Sequence, residues 1–205
     1  INLKLGAIYR PIENLRIGLA FHTPTYYQID ESYSTTVESK LLINGKYRTS
    51  EATTYGLYYY NFRTPLKLLA NMAVTMGDMS SKVAGSLSFD YRSMHFSGGD
   101  ADYMKQVNDD IKDIYRAAHT FRVGGTLNIM KMSLRAGVLY STDPYKEELN
   151  KDASSMALAC GIGYQTRTWF VDFAYAHTEQ KDKMVFTANP TDMVSLTNYK
   201  NVFVL

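Results

Sequence analysis

Phe121-Arg122-Val123-Gly124-Gly125-Thr126-Leu127-Asn128-Ile129 and Met132-Ser133-Leu134-Arg135-Ala136-Gly137-Val138-Leu139-Tyr140 are separated by only two residues, Met130-Lys131. On both sides of Met130-Lys131 every second residue is apolar or small. Phe121, Val123, Gly125, Leu127 and Ile129 alternate with Arg122, Gly124, Thr126 and Asn128; Met132, Leu134, Ala136, Val138 and Tyr140 alternate with Ser133, Arg135, Gly137 and Leu139. A period of two marks a strand whose faces meet different surroundings. Two residues suffice for a tight hairpin connection. The stretch reads as two antiparallel strands sharing one apolar face.

The same parity recurs outward along the chain. Leu15, Ile17, Leu19 and Phe21 oppose Arg16, Gly18, Ala20 and His22; Val83, Gly85, Leu87, Phe89 and Tyr91 oppose Ala84, Ser86, Ser88, Asp90 and Arg92. Met156, Leu158, Cys160, Ile162 and Tyr164 oppose Ala157, Ala159, Gly161, Gly163 and Gln165, and Trp169, Val171, Phe173 and Tyr175 oppose Phe170, Asp172, Ala174 and Ala176. Residues 1–10 and 66–76 follow the rule more loosely. Nine strands are expected, at 1–10, 14–23, 56–76, 82–96, 119–130, 131–142, 155–165, 168–178 and 198–205. Most span roughly 9 to 11 residues, the length a tilted strand needs to cross a bilayer.

The connections sort by length. Pro11-Ile12-Glu13-Asn14, Gly77-Asp78-Met79-Ser80-Ser81, Met130-Lys131 and Thr166-Arg167 are short, while residues 23–55, 97–118, 142–154 and 178–197 are long and polar. Short turns on one rim and long loops on the other are the pattern of an outer-membrane barrel. Asn44-Gly45 fits a two-residue turn with both residues at positive φ, predicting a small hairpin within the first long loop. Apolar spacing at Tyr103, Met104, Val107, Ile111, Ile114 and Tyr115, after a break at Gly98-Gly99, predicts a short amphipathic helix lying across the rim.

Composition narrows the function classes. With 22 basic against 20 acidic residues the net charge is +2, without the concentrated basic face of a duplex-binding domain, so no nucleic acid is expected. A single cysteine, Cys160, forms no internal disulfide, and no Cys/His cluster has zinc spacing. No apolar run approaches the ~20 residues of a spanning helix. The nine-strand count is odd where bacterial single-chain barrels are even. Together with alternation already running at Ile1 and still running at Leu205, this reads as residues 1–205 forming part of a larger barrel.

The expected fold class is therefore all-β, a transmembrane antiparallel up-and-down β-barrel with apolar residues against lipid. Arg16, Arg122, Arg135, Asp90 and Asp172 fall on the opposite face, in the lumen. They are the candidate ligand-binding residues. Arginine suits a carboxylate because its planar guanidinium donates two parallel hydrogen bonds; the alternative is that these arginines pair with Asp90 and Asp172 and stiffen the wall. A soluble sandwich or lipocalin-like barrel gives the same parity with its faces reversed in space.

With strands and loops placed, several stretches resemble the FadL/TodX family of outer-membrane transporters of long-chain fatty acids and aromatic hydrocarbons, its Bacteroidetes-type members above all. They are Leu5-Gly6-Ala7-Ile8-Tyr9-Arg10-Pro11, Leu15 to Pro24, Phe62-Arg63-Thr64-Pro65, Leu87-Ser88-Phe89-Asp90-Tyr91, Phe121-Arg122-Val123-Gly124 and Leu134-Arg135-Ala136-Gly137-Val138. The resemblance implies a monomeric fourteen-stranded barrel in the outer membrane, plugged by an N-terminal hatch. This chain would supply the C-terminal nine strands, without the N-terminal strands and hatch. Passive uptake of small hydrophobic molecules is the implied activity, with outer-membrane lipids and an apolar ligand as partners, and no cofactor or metal.

Some relatives are labelled hemin receptors, yet His22, His95, His119 and His177 are scattered singly with no axial pair in their spacing. A rim hydrolase would draw on His22, His95, His119, Asp90 and Ser93, but no nucleophile elbow is present and no catalytic residue is assigned. Long loops with Tyr26, Tyr27, Tyr33 and Tyr55 also fit an adhesion or structural barrel.

Overall fold

A computed structural model describes residues 1–77, 81–96, 100–101, 105–146, 153–185 and 193–205. Its strands are β1 (Lys4–Ile12), β2 (Leu15–His22), β3 (Tyr26–Ile43), β4 (Lys46–Arg63), β5 (Leu66–Met76), β6 (Val83–His95), β7 (Asp100–Ala101), β8 (Ala117–Ile129), β9 (Met132–Ser141), β10 (Ser155–Gln165), β11 (Phe170–Val185) and β12 (Met193–Val204). One helix, α1 (Lys105–Ile114), precedes β8. The fold is all-β and antiparallel. Nine strands form one sheet in the order β1-β2-β5-β6-β8-β9-β10-β11-β12, an up-and-down wall, while β3, β4 and β7 form a second sheet.

Register explains why the wall has two chemistries. Leu87 pairs with Gly125, Gly125 with Ala136, Ala136 with Cys160 and Cys160 with Tyr175; one step along, Phe89, Val123, Val138 and Leu158 form the next row. Ile17, Met72 and Phe89 extend that row to β2. The parity of each strand is thus kept across the sheet, and one slip by a single residue would exchange the faces.

No second layer covers either face among the described residues. Among the described residues the only buried hydrophobic one is Ala118. Leu87 is 55% exposed, Leu134 42% and Val171 50%, so the aliphatic side chains do not crowd into a shared dry centre. A sheet ordinarily buries its apolar face against another element. Here that face is left to the surroundings.

The two rims differ as expected, with one large correction. Ile129 pairs directly with Met132 across Met130-Lys131, and Met130 takes φ 52°. At the first short turn Ile12 pairs with Leu15 after a register shift at Arg10-Pro11, where proline has no N–H to give the ladder. Arg10 donates from Nε and Nη2 to the Glu13 carbonyl, at 3.0 and 2.7 Å, and closes that turn. The fourth, at 166–169, is wider than the Thr166-Arg167 pair expected: Thr166 Oγ1 donates to the Trp169 carbonyl, Trp169 sits in the turn, and β11 starts at Phe170. The turn at 78–80 lies outside the described residues.

Residues 23–55 are not a loop carrying a small hairpin. They belong to a ribbon of two 18-residue strands, β3 and β4, paired without interruption from Tyr26↔Arg63 to Ile43↔Lys46 around Asn44-Gly45. The expected strand 56–76 is therefore two strands, divided at Thr64-Pro65. Its first part belongs to the ribbon and its second, β5, to the wall. Likewise β11 and β12 stay paired out to Val185↔Met193, so much of the expected loop 178–197 is ladder and the last strand starts at Met193 rather than at 198.

The helix forms over a shorter span than 103–117, and no residue of it is buried. Its expected residues Tyr103 and Met104 and the break at Gly98-Gly99 lie outside the described residues. Downstream, Tyr115 bridges Tyr145, the Arg116 amide donates to the Pro144 carbonyl, and the Arg116 guanidinium pairs at 3.0 Å with Asp143, a carboxylate only 4% exposed. This clamp ties the end of α1 to the segment after β9.

Candidate functional site

The small and polar face of the wall carries every sequence-predicted site residue. Arg135 stands on β9 opposite Thr126 of β8 and Gly161 of β10. Its Nη1 donates to Asp172 Oδ1 on β11 at 2.7 Å, reaching over the whole width of β10. That reach is possible because β10 presents glycine here: a Cβ on Gly163 would collide with Asp172 Oδ1 and stand 3.6 Å from Arg135 Nη2. Both partners are about half exposed, so water screens the pair and its net stabilisation is about 1 kcal/mol or less.

Arg122 and Asp90 are direct register partners on β8 and β6. Arg16 faces Ala73 on β5 and lies three strands from β8. Beside it, Asn71 folds its amide over Gly18. The structure thus unites Arg135 with Asp172, places Arg122 beside Asp90, and leaves Arg16 apart from both.

Sequence reasoning missed the surface between these groups. A groove of about 380 Å³ runs over β6, β8, β9, β10 and β11, lined by Ser86, Ser88, Gly124, Thr126, Arg135, Gly137 and Gly161 among others. On the apolar face a wider depression of about 840 Å³ lies against the same stretch, its floor Gly125, Ala136 and Cys160 and its sides Leu87, Leu127, Leu134, Val138 and Leu158. Glycine and alanine on both parities of neighbouring strands were the available signal. The wall is thinnest there.

Aromatic rings border the apolar face. Tyr91 and Phe121 lie 5.3 Å apart between ring centroids, and Phe121 pairs in register with Tyr140 at the long-loop side. Tyr164 and Trp169, 5.6 Å apart, mark the short-turn side. Tyr140 pairs with Met156, and Tyr164 follows eight residues further along β10. At ~3.4 Å per residue this separates the two aromatic levels by about 27 Å along the strand.

The residues of a possible hydrolase do not assemble into a triad. Ser93 Oγ lies 3.4 Å from His95 Nε2 and Ser93 is 3% exposed, while Asp90 projects from the opposite face of the same strand. His119 Nδ1 is taken by the Tyr91 hydroxyl at 2.8 Å. His22 and His177 stand on distant strands, β2 and β11. Among the described residues no group of three or more His, Cys, Asp or Glu is placed to hold a metal ion, and no helix is long and apolar enough to cross a membrane.

No protein-family model matches this chain, and no curated protein does. Among solved structures it is similar to the CymD monoaromatic hydrocarbon channel, at 16% identity and a TM-score of 0.49. The match covers 87% of this chain and 46% of that one. The chain therefore spans about half the length of the channel it resembles.

Proposed function

We propose that this chain is part of the wall of an outer-membrane β-barrel that passes small hydrophobic molecules, such as fatty acids or aromatic hydrocarbons, by passive transport. One observation carries the reading: a nine-stranded sheet with one largely aliphatic and aromatic face and an opposite face of mostly small and polar residues and a few charges, with no layer packed on either among the described residues. In lipid the aliphatic face needs no protein partner, and the opposite face makes a polar lumen. Unpaired ladder groups along the sheet edges β1 and β12 cannot stay open in hydrocarbon. The wall is therefore closed in the membrane, and the resemblance to FadL/TodX transporters would make the whole a monomeric barrel of fourteen strands.

In this reading the small-residue groove takes the apolar body of the ligand, because a floor without side chains lets a flat ring or an acyl chain approach the backbone. Arg135 borders the groove with its charge balanced by Asp172, so it orients a polar group rather than holding an anion tightly. Arg122 and Arg16 supply further positive potential along the lumen.

The experiment is uptake into proteoliposomes. Vesicles containing the whole protein should take up a fluorescent fatty acid and a small aromatic hydrocarbon faster than empty vesicles, and Gly124→Leu with Gly137→Leu should slow both by filling the groove. Uptake equal to that of empty vesicles, or a monodisperse protein in detergent-free buffer, would refute the assignment.

A further inference from the structure

The β3–β4 ribbon is too long to be a plain connection. Its 18-residue strands reach about 60 Å at ~3.4 Å per residue. It continues outward from β2 and β5: the Thr64 amide donates to the Thr25 carbonyl at 3.0 Å, just before Tyr26 pairs with Arg63. Pro24 and Pro65 sit at this joint, interrupting the ladder by lacking an N–H. β7 pairs with the ribbon at Phe62 and Arg63.

Its apex has a composition unlike its stem. Leu41, Leu42 and Ile43 end β3, Tyr47 lies opposite Leu42, and Arg48 and Lys46 lie opposite Leu41 and Ile43. Leu42 is 61% exposed and Tyr47 79%. Lys40 pairs with Glu38 at 3.2 Å across a solvent-exposed contact, and no acidic residue stands between Glu38 and Glu51. Asn44 at φ 51° and Gly45 at φ 74° hold the aliphatic end and the cationic end side by side.

From this arrangement we propose that the ribbon apex docks shallowly into a second, anionic phospholipid bilayer facing the rim of the wall. Aliphatic side chains at a tip enter the boundary between headgroups and acyl chains, flanking cations meet lipid phosphates, and tyrosine favours that interface. A reach of about 60 Å from the joint at Thr25 and Thr64 carries the apex beyond the headgroups of the wall's own bilayer, so the lipid surface open to it is a facing one. This inference rests on the membrane-wall reading above, yet its test reports on the apex alone.

The test places the whole protein in phosphatidylcholine nanodiscs and adds vesicles of phosphatidylcholine with or without phosphatidylglycerol. Detergent-free incorporation as a folded species checks the wall separately. Vesicles containing phosphatidylglycerol should be recruited and pure phosphatidylcholine vesicles should not. Lys46→Gln with Arg48→Gln should weaken recruitment about 30-fold, and Leu41→Ser with Leu42→Ser about tenfold or more. The proposal is overturned if folded nanodiscs recruit no vesicles, if both vesicle types bind equally, or if the serine variants bind undiminished. Nanodiscs pairing with each other in the absence of vesicles would make a second copy the occupant and overturn it too, as would inorganic phosphate displacing the vesicles at constant ionic strength.

Discussion

Gly163 shows how much a single missing side chain can decide. The parity of β10 announces that Gly161 and Gly163 lie on the lumen face, and the parity of β9 and β11 puts Arg135 and Asp172 there too. What parity could not reveal is that a guanidinium crosses an intervening strand, since that depends on the registers of two ladders at once. Gly163→Val should push the Asp172 carboxylate aside and leave Arg135 without its counter-charge. Binding of a fluorescent fatty acid to the purified barrel should then tighten, and Arg135→Ala added to Gly163→Val should erase the gain. Unfolding stability should change by no more than about 1 kcal/mol from loss of the half-exposed pair itself. Tyr33 offers a second residue-scale test, outside the wall. Its ring stacks on Tyr58 at 5.7 Å over Gly56, and the hydrogen bond with Tyr58 is the main reason its phenol ionises above the usual value. A raised acid pKa means the folded ribbon keeps the proton longer than the unfolded chain does. The associated stabilisation is complete below the ordinary tyrosine pKa of about 10 and fades as pH rises through the higher folded value. Tyr58→Phe should bring the Tyr33 titration, followed by carbon NMR of labelled tyrosine, back toward the ordinary value; an unmoved titration would contradict the assigned cause.

At the scale of elements, legibility followed contrast between faces. Strands such as β8 and β9, with aliphatics on one side and small or charged residues on the other, were readable to within two residues at each end. β3 and β4 were not, because their middle is Ser, Thr and Glu on both faces and gives alternation nothing to alternate. Only the Asn44-Gly45 turn was visible, and its geometry is as the dipeptide predicts. Gly45 isolates the backbone effect, since a Cβ there would meet nothing within 4 Å while φ stays at 74°. Gly45→Ala should cost roughly 1–2 kcal/mol, seen as about tenfold faster amide exchange at Ile43 and Lys46, with the wall strands unaffected. At the rim, the clamp after α1 depends on one buried carboxylate. Asp143→Ala removes the partner of Arg116 and the acceptor of the Tyr145 amide. It should destabilise that segment by roughly 2 kcal/mol, and limited proteolysis near residue 116 should accelerate without loss of the sheet.

For the whole molecule the question is what the aliphatic face meets. In water, an array running from Leu5 on β1 to Phe203 on β12 would have to find another apolar surface, and none is packed on it among the described residues. In a bilayer the same array matches an apolar band ~25 Å tall flanked by aromatic girdles, which fits the levels set by Tyr140 and Tyr164. The two environments make opposite predictions for adjacent residues of β9. Leu134 and Ser133 are neighbours on one strand with side chains on opposite faces. If the aliphatic face meets lipid, Leu134→Arg, two residues in from the short-turn aromatic level, should cost about 1–2 kcal/mol of folding stability, while Ser133→Arg enters a polar lumen and should cost less than 1 kcal/mol. If both faces met water, two arginines at these exposed positions would each change stability by no more than about 0.5 kcal/mol. A soluble barrel reversed in space would penalise Leu134→Arg as well, but it would fold without lipid. Urea titrations of refolding into phosphatidylcholine vesicles and into plain buffer therefore separate the three cases. The membrane wall requires a penalty at Leu134 clearly above that at Ser133, and no folded species in buffer alone.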